Sequence, residues 1–401
     1  MFIPLSDAPN PKGIPFVNYA LILANVAVYL LVSLPLSMTP ADPGDPALQE
    51  YLQVLTRDLP SHIGVRQILA QISQYDLFVF EYGFRPAAPN LEALFLSLFL
   101  HAGFLHLFGN MLFLWIYGDN IEIRLGRWRY LIAYLSTGVA ATLFHAVVFR
   151  TSMLPLVGAS GAISGVLGFY FVWFPRNRVR MLMFFFPFVM RVIELPARLV
   201  LGFYILLDNL LPFLLSTGTG GSGVAFGAHI GGFFAGLIAA RWINHRQLMA
   251  PDVAPPAAEP ADPIVLPADA DPSSAIKQAI AYGDMLSAAR AYLALDPRAS
   301  RYLLEAPELL QLANWLASQY QGRAALAVYL RLLRDYPSAP AAAAAHLGAG
   351  IVQLEQLGEI TPAFQHFVDA LDLNPSPDVA AAARAALDKI AARQKRQIGP
   401  R

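Results

Sequence analysis

Gly158-Ala-Ser-Gly-Ala-Ile-Ser-Gly-Val-Leu-Gly-Phe-Tyr-Phe-Val-Trp-Phe174 contains no charged residue. At ~1.5 Å rise per residue, about 20 apolar residues cross a bilayer core of ~30 Å, so residues 159–174 read as a membrane helix. Working outward, similar apolar runs fall at about 18–36, 99–120, 128–149, 197–215 and 224–243, which makes six spans in all. Composition agrees: 56% of the 401 residues are hydrophobic and 14% are charged, against about 25% charged in soluble domains. The run 181–195 is apolar but interrupted by Pro187, Arg191 and Glu194, and reads as an interfacial hairpin. The expected fold class is all-α: a six-helix transmembrane bundle followed by a soluble α-helical repeat-like domain.

The opening stretch MFIPLSDAPNPKGIPF lacks a basic segment running into an apolar one, so it does not read as a signal peptide. Arginine placement orients the bundle. Arg124, Arg127 and Arg129 follow the second helix; Arg176, Arg178, Arg180, Arg191 and Arg198 follow the fourth; Arg241 and Arg246 follow the sixth. The loop between the third and fourth helices carries Arg150 alone, and the one between the fifth and sixth, STGTGGSG (216–223), nothing basic. Cytoplasmic loops retain Lys and Arg, so both termini are expected in the cytoplasm. The long first loop, 37–95, would be translocated, with amphipathic pieces such as LQEYLQVL and VRQILAQI. The expected setting is a multi-pass protein of a bacterial cell (inner) membrane, with 1–247 as the membrane domain.

Residues 248–274 are rich in Pro and Ala with little to bury, which marks a linker. From 275 to 395 the sequence becomes soluble and helical. GRAALAVYLRLLRDYP, ending at Pro337, and ITPAFQHFVDALDLNP, ending at Pro375, repeat a small residue (Ala325, Ala363) and an aromatic (Tyr329, Phe367) at matching offsets. A weaker copy ends at Pro297. The pattern is similar to tetratricopeptide-type helical hairpins, which would hold a protein or peptide partner. Zero net charge points away from nucleic acid. The absence of cysteine excludes disulfides and thiolate chemistry.

Polar residues in the apolar helices carry the chemistry. A histidine inside a membrane helix is costly and therefore a functional candidate, whereas a lone serine is more often a packing residue. Depth joins them. With both termini inside, the second, fourth and sixth helices run inward from the outer face. His101 then opens the second helix, Ser160 lies in the first turn of the fourth and His229 about a turn into the sixth. Gly161–Gly165, Gly227–Gly231 and Gly232–Gly236 have GxxxG spacing, which lets helix backbones approach closely. Packing through these faces would bring Ser160 to His229. Serine needs a base within hydrogen-bond reach, and acyl transfer needs donors where the oxyanion forms. His106 and Asn110, spaced i and i+4 on one helix face, are candidate donors beside the Ser160 N–H. His101 would organise water or orient the first loop. Asp119 and Glu122 lie at the far end, and Asp208 reads as buried without a link to His229, so a dyad is expected. Without HExxH, metal catalysis is not expected.

His101-xxxx-His106-xxx-Asn110, Gly158-Ala-Ser160-Gly161 and Ala228-His229-xx-Gly232-xxx-Gly236, in this order on separate helices, resemble the rhomboid family of intramembrane serine proteases over about residues 1–245. The resemblance implies Ser160 as nucleophile, His229 as general base, His106, Asn110 and the Ser160 N–H as oxyanion hole, and Gly158 shaping the loop before the serine. It implies cleavage of transmembrane proteins in or near their membrane helices, with no cofactor. Substrate would pass the fifth helix, beneath the 216–223 loop. Glu122-Ile-Arg124 matches a segment thought to be structural. Many members carry an aromatic residue four after the nucleophile, where this chain has Ser164; nor is the family's Trp–Arg pair evident in the first loop. A catalytically silent relative that binds membrane helices and a transporter with a polar permeation site are the competing readings. Intact Ser160 and His229 count against the first. The lack of acidic or paired charges near the midplane counts against the second.

Overall fold

The computed structural model describes residues 2–56, 68–69, 71–185, 189–215, 225–249 and 272–397. The glycine-rich loop 216–223, half of VRQILAQI and the linker from 250 to 271 lie outside the described residues. In chain order the elements begin with β1 (Phe2–Ala8), α1 (Phe16–Ser37), α2 (Pro46–Thr56), α3 (Gln74–Tyr82), α4 (Leu91–Leu96), α5 (Phe104–Leu125), α6 (Arg127–Val148) and α7 (Ser160–Trp173). Then come β2 (Arg178–Phe185), β3 (Val189–Pro196), α8 (Ala197–Leu215) and α9 (Phe226–Met249). Seven further helices follow: α10 (Pro272–Ala281), α11 (Met285–Ala294), α12 (Ala306–Ser318), α13 (Gly322–Asp335), α14 (342–357), α15 (Ile360–Asp372) and α16 (Pro377–Gln397).

Two compact units emerge: one of residues 1–7, 13–173 and 179–240, the other of 8–12, 174–178 and 241–401. In the first, α1, α6, α8 and α9 are each long and apolar enough to cross a bilayer. A fifth candidate is the pair Leu91–Phe99 and Phe104–Leu125, bent by 85° between them. The expected fourth span is shorter than a bilayer needs: α7 has 14 residues, ~21 Å at the α-helical rise. Its N-terminus therefore starts below the level that a full span would reach. The expected second span also shifts, because the backbone becomes helical only at Phe104, leaving His101 in the preceding turn.

The structure is mostly helical, as expected, with one small sheet beside the helices. Much of the 181–195 region lies in β2 and β3, which form a three-stranded sheet of order β1-β2-β3 with the N-terminal strand. Alternation along MLMFFF was hidden because nearly every residue there is apolar, so period 2 carries no signal. Asp7, at the end of β1, is buried and accepts hydrogen bonds from Asn120 Nδ2 at 3.0 Å and from the Tyr170 hydroxyl.

Buried polar side chains fasten the bundle. Glu122 caps the start of α1, accepting from Val17 N at 3.0 Å and Asn18 N at 2.7 Å, where the helix dipole favours a carboxylate. Asn18 in turn accepts from Tyr130 Oη at 2.7 Å and donates to Leu114 O at 3.0 Å, so α1, α5 and α6 are tied at one point. Arg124 places its guanidinium over the Trp173 ring. Gly126, at φ +81°, joins α5 directly to α6, a conformation that favours glycine. Outward-facing side chains such as Leu31, Ile132, Leu199 and Ile238 are apolar and exposed, as a lipid-facing surface requires.

The second unit packs consecutive helices: α10 with α11, α12 with α13, and α14 with α15. The expected linker is trimmed at both ends, since α9 runs to Met249 and α10 begins at Pro272. The paired repeat residues Ala325 with Tyr329 and Ala363 with Phe367 are all buried. Tyr329 lies against Gly348, and Phe367 against Gly350. Arg176 forms ion pairs with Asp369, at 3.2 Å, and Asp372.

Candidate active site

Ser160 is the first residue of α7, and His229 is the fourth of α9. Ser160 Oγ lies 2.8 Å from His229 Nε2. What brings the two helices this close is the absence of side chains. A Cβ added to Gly232 would strike the carbonyl of Gly161, and one added to Gly236 the carbonyl of Gly165. Gly168 in turn faces the backbone of Phe233. The GxxxG spacings divide their work, however. Gly231 packs on Phe144 and Gly227 beside His145, so the 227–231 pair faces α6 rather than α7.

A cavity of about 520 Å³ opens at this pair, lined in part by His106, Asn110, Ser160, Tyr204 and His229. Asn110 is buried, and its Nδ2 donor has no partner among the protein's described atoms. Gly158, at φ +123°, allows the turn before the serine to run against the His106 ring; a Cβ there would sit 2.8 Å from that ring. Its N–H donates to Ser97 O at 2.8 Å, which pins the turn. The structure thus gathers Ser160, His229, His106, Asn110 and Gly158 at one place. The N–H groups of a helix's first turn have no intrahelical acceptors, and here those of α7 begin at the serine.

His101 stands apart from the cavity lining. It is fully buried, with its ring edge-on to that of His106 at 5.1 Å. Its backbone grips the first loop: Tyr75 Oη donates to His101 O at 2.9 Å and accepts from His101 N at 3.1 Å. Asp208, expected to be buried, is on the bundle exterior. The buried residue is its neighbour Asn209, which sequence reasoning missed, and its Oδ1 lies 2.6 Å from His229 Nδ1. Tyr204 was missed too. Its hydroxyl lies 2.8 Å from Ser164 Oγ, and its ring centre 6.5 Å from that of His229. An aromatic ring therefore flanks the histidine although Ser164 is not aromatic, contributed by α8 instead of α7.

A membrane-embedded helical bundle with a serine and a histidine in hydrogen-bond contact defines the class. Residues 89–246 match the Rhomboid domain model, so this part of the chain is a rhomboid-type domain. It is 37% identical over 95 residues to Rhomboid protein 1, mitochondrial, of Saccharomyces cerevisiae, covering 23% of this chain and 27% of the yeast protein. It is 42% identical over 69 residues to Rhomboid protease GluP of Bacillus subtilis, covering 17% and 13% of the two chains. With Rhomboid-type serine protease 2 of Emericella nidulans it shares 26% identity over 158 residues, 38% of this chain and 27% of the relative. The matched stretches thus span about a quarter or less of these relatives.

Proposed function

We propose that this protein is an intramembrane serine endopeptidase that hydrolyses peptide bonds in or near transmembrane segments. The observation that carries the reading is the 2.8 Å contact between Ser160 Oγ and His229 Nε2 at the wall of a largely apolar cavity. In this reading His229 Nε2 takes the serine proton as Oγ attacks the scissile carbonyl. Asn110 Nδ2, His106 and the Ser160 N–H stabilise the oxyanion in a site where water screens little. His229 then passes the proton to the leaving amine, and a water activated by the same imidazole releases the acyl-enzyme. Gly158 keeps the oxyanion region open, because any side chain there would displace His106.

The substrates are membrane-spanning proteins with small residues and locally unstable helix at the cut, reaching the site past α8. Location in a bacterial-type cell membrane, with both termini cytoplasmic, is supported by the arginine asymmetry of the loops. Residues 1–247 would form the membrane domain, with 275–395 a tetratricopeptide-like accessory module for a protein or peptide. The spacing of Ala325, Tyr329, Ala363 and Phe367 and their shared burial support that module.

The test is cleavage of a purified single-span substrate by wild type, Ser160→Ala and His229→Ala. Loss of kcat by several orders of magnitude in each variant is expected; equal cleavage by all three sinks the proposal. A serine-directed covalent probe should label Ser160 in the wild type alone, which separates an enzyme from a silent binder.

A further inference from the structure

We infer that Asn209 is the positioning residue of the base: it fixes the tautomer and ring orientation of His229, so that α8 rather than the serine's own helix aligns the pair. This rests on the endopeptidase reading above. Asn209 is 2% exposed and uses both ends of its amide. Nδ2 lies 2.8 Å from the Tyr204 carbonyl oxygen, and Oδ1 lies 2.6 Å from His229 Nδ1. A carbonyl oxygen can only accept, so the amide nitrogen must face Tyr204 O and the amide oxygen must face the imidazole. That oxygen can likewise only accept. Nδ1 therefore carries the proton, and Nε2 presents its lone pair to Ser160 Oγ.

Local backbone geometry makes this possible. Residues 204 and 209 are five apart, which in an α-helix of 3.6 residues per turn places them about 140° from each other. Here Leu206–Leu210 is a π turn, whose i→i+5 repeat brings residue 209 back over residue 204. The same turn rotates Asp208 outward and Asn209 inward. Tyr204 adds a second hold from the same helix, with its ring beside the imidazole and its hydroxyl on Ser164. A neutral amide suits this depth, because a carboxylate at the same point would have to be desolvated inside the bundle.

The experiment measures kcat and KM on a single-span substrate for Asn209→Leu, Asn209→Asp and Ser160→Ala, with thermal stability in detergent measured in parallel. Asn209→Leu removes the acceptor. It should lower kcat on the order of 10³-fold, short of the ~10⁴-fold loss of a histidine locked in the wrong tautomer, with KM within about threefold because no substrate contact is lost. Asn209→Asp keeps an acceptor and should recover at least about a tenth of wild-type kcat. Wild-type kcat in Asn209→Leu, with Ser160→Ala inactive, overturns the positioning role and leaves the protease reading standing. Activity in Ser160→Ala overturns the protease reading itself. If Asn209→Leu and Asn209→Asp lose kcat and thermal stability together, with no rescue, Asn209 is a packing residue and the inference fails.

Discussion

In the first unit, α7 and α9 meet backbone to backbone, with Gly232 and Gly236 set against the carbonyls of Gly161 and Gly165. In the second, α13 and α15 drive the large rings of Tyr329 and Phe367 into α14 opposite Gly348 and Gly350. Both units bury apolar side chains, such as Leu114 and Leu167 in the first and Leu312 and Phe367 in the second, but the first also buries Asn18, Asn110, Glu122 and Asn209 while exposing aliphatic side chains such as Leu31, Ile132 and Ile238. The physical cause is the solvent. Lipid tails are as apolar as leucine, so helices in a bilayer gain little by hiding apolar side chains and associate through close packing and polar contacts. In water, burying an aromatic ring is itself strongly favourable. In the first unit, hydrogen bonds offset the desolvation of Asn18, Glu122 and Asn209.

Substitutions can break this contrast. The largest effect is expected for Phe367→Ala, which leaves a ring-sized hole in a fully buried position and should cost the helical unit about 3–5 kcal/mol. Chemical denaturation followed by hydrogen exchange on peptides from 342–372 reads it; protection equal to wild type would refute the cavity argument. Next comes Gly236→Ala. One methyl there meets a backbone carbonyl that cannot step aside, so a loss of about 3 kcal/mol and a drop in cleavage should appear together. A melting temperature in detergent matching wild type would mean that α7 and α9 are not held by that contact.

The same change in the other unit should be milder. At Gly350 an added Cβ would lie 2.6 Å from the edge of the Phe367 ring, a side chain that can shift, and Gly350→Ala should cost about 1–2 kcal/mol. Equal penalties at 236 and 350 would erase the distinction between backbone and side-chain packing.

The smallest effect is a pH slope in the helical unit. Burial lowers the pKa of His346 to about 4, and its Nδ1 lies 2.8 Å from that of His366. The unfolded chain, with an ordinary histidine, takes up a proton near pH 6.5 that the folded form refuses. Stability from this group is therefore complete above pH 6.5 and falls as pH drops toward 4, by less than about 1 kcal/mol between pH 7 and 6. A His346→Leu variant should flatten that part of the slope; an unchanged slope would assign it elsewhere.

Much of the site was legible because its members announce themselves chemically. Ser160, His229, His106 and Asn110 are polar residues in apolar helices, and helix rise alone puts them at a common depth. Asn209 was not legible. Next to Asp208 it reads as the lesser candidate, and only the π turn decides which of the two faces inward. Tyr204 was hidden for the same reason, and the β1-β2-β3 sheet because it pairs residues far apart in a stretch without alternation.

Residue chemistry alone determined that this chain enters a membrane, that polar residues lie at similar depth in three of its helices, and that a helical segment follows. Those properties depend on hydropathy, charge and periodicity, which are local and additive along the chain. Tertiary structure decided which glycine pair forms the contact, how short α7 is, and which side chain holds the histidine. Each of these depends on backbone path and helix rotation, where a single extra residue in one turn redirects every side chain that follows it.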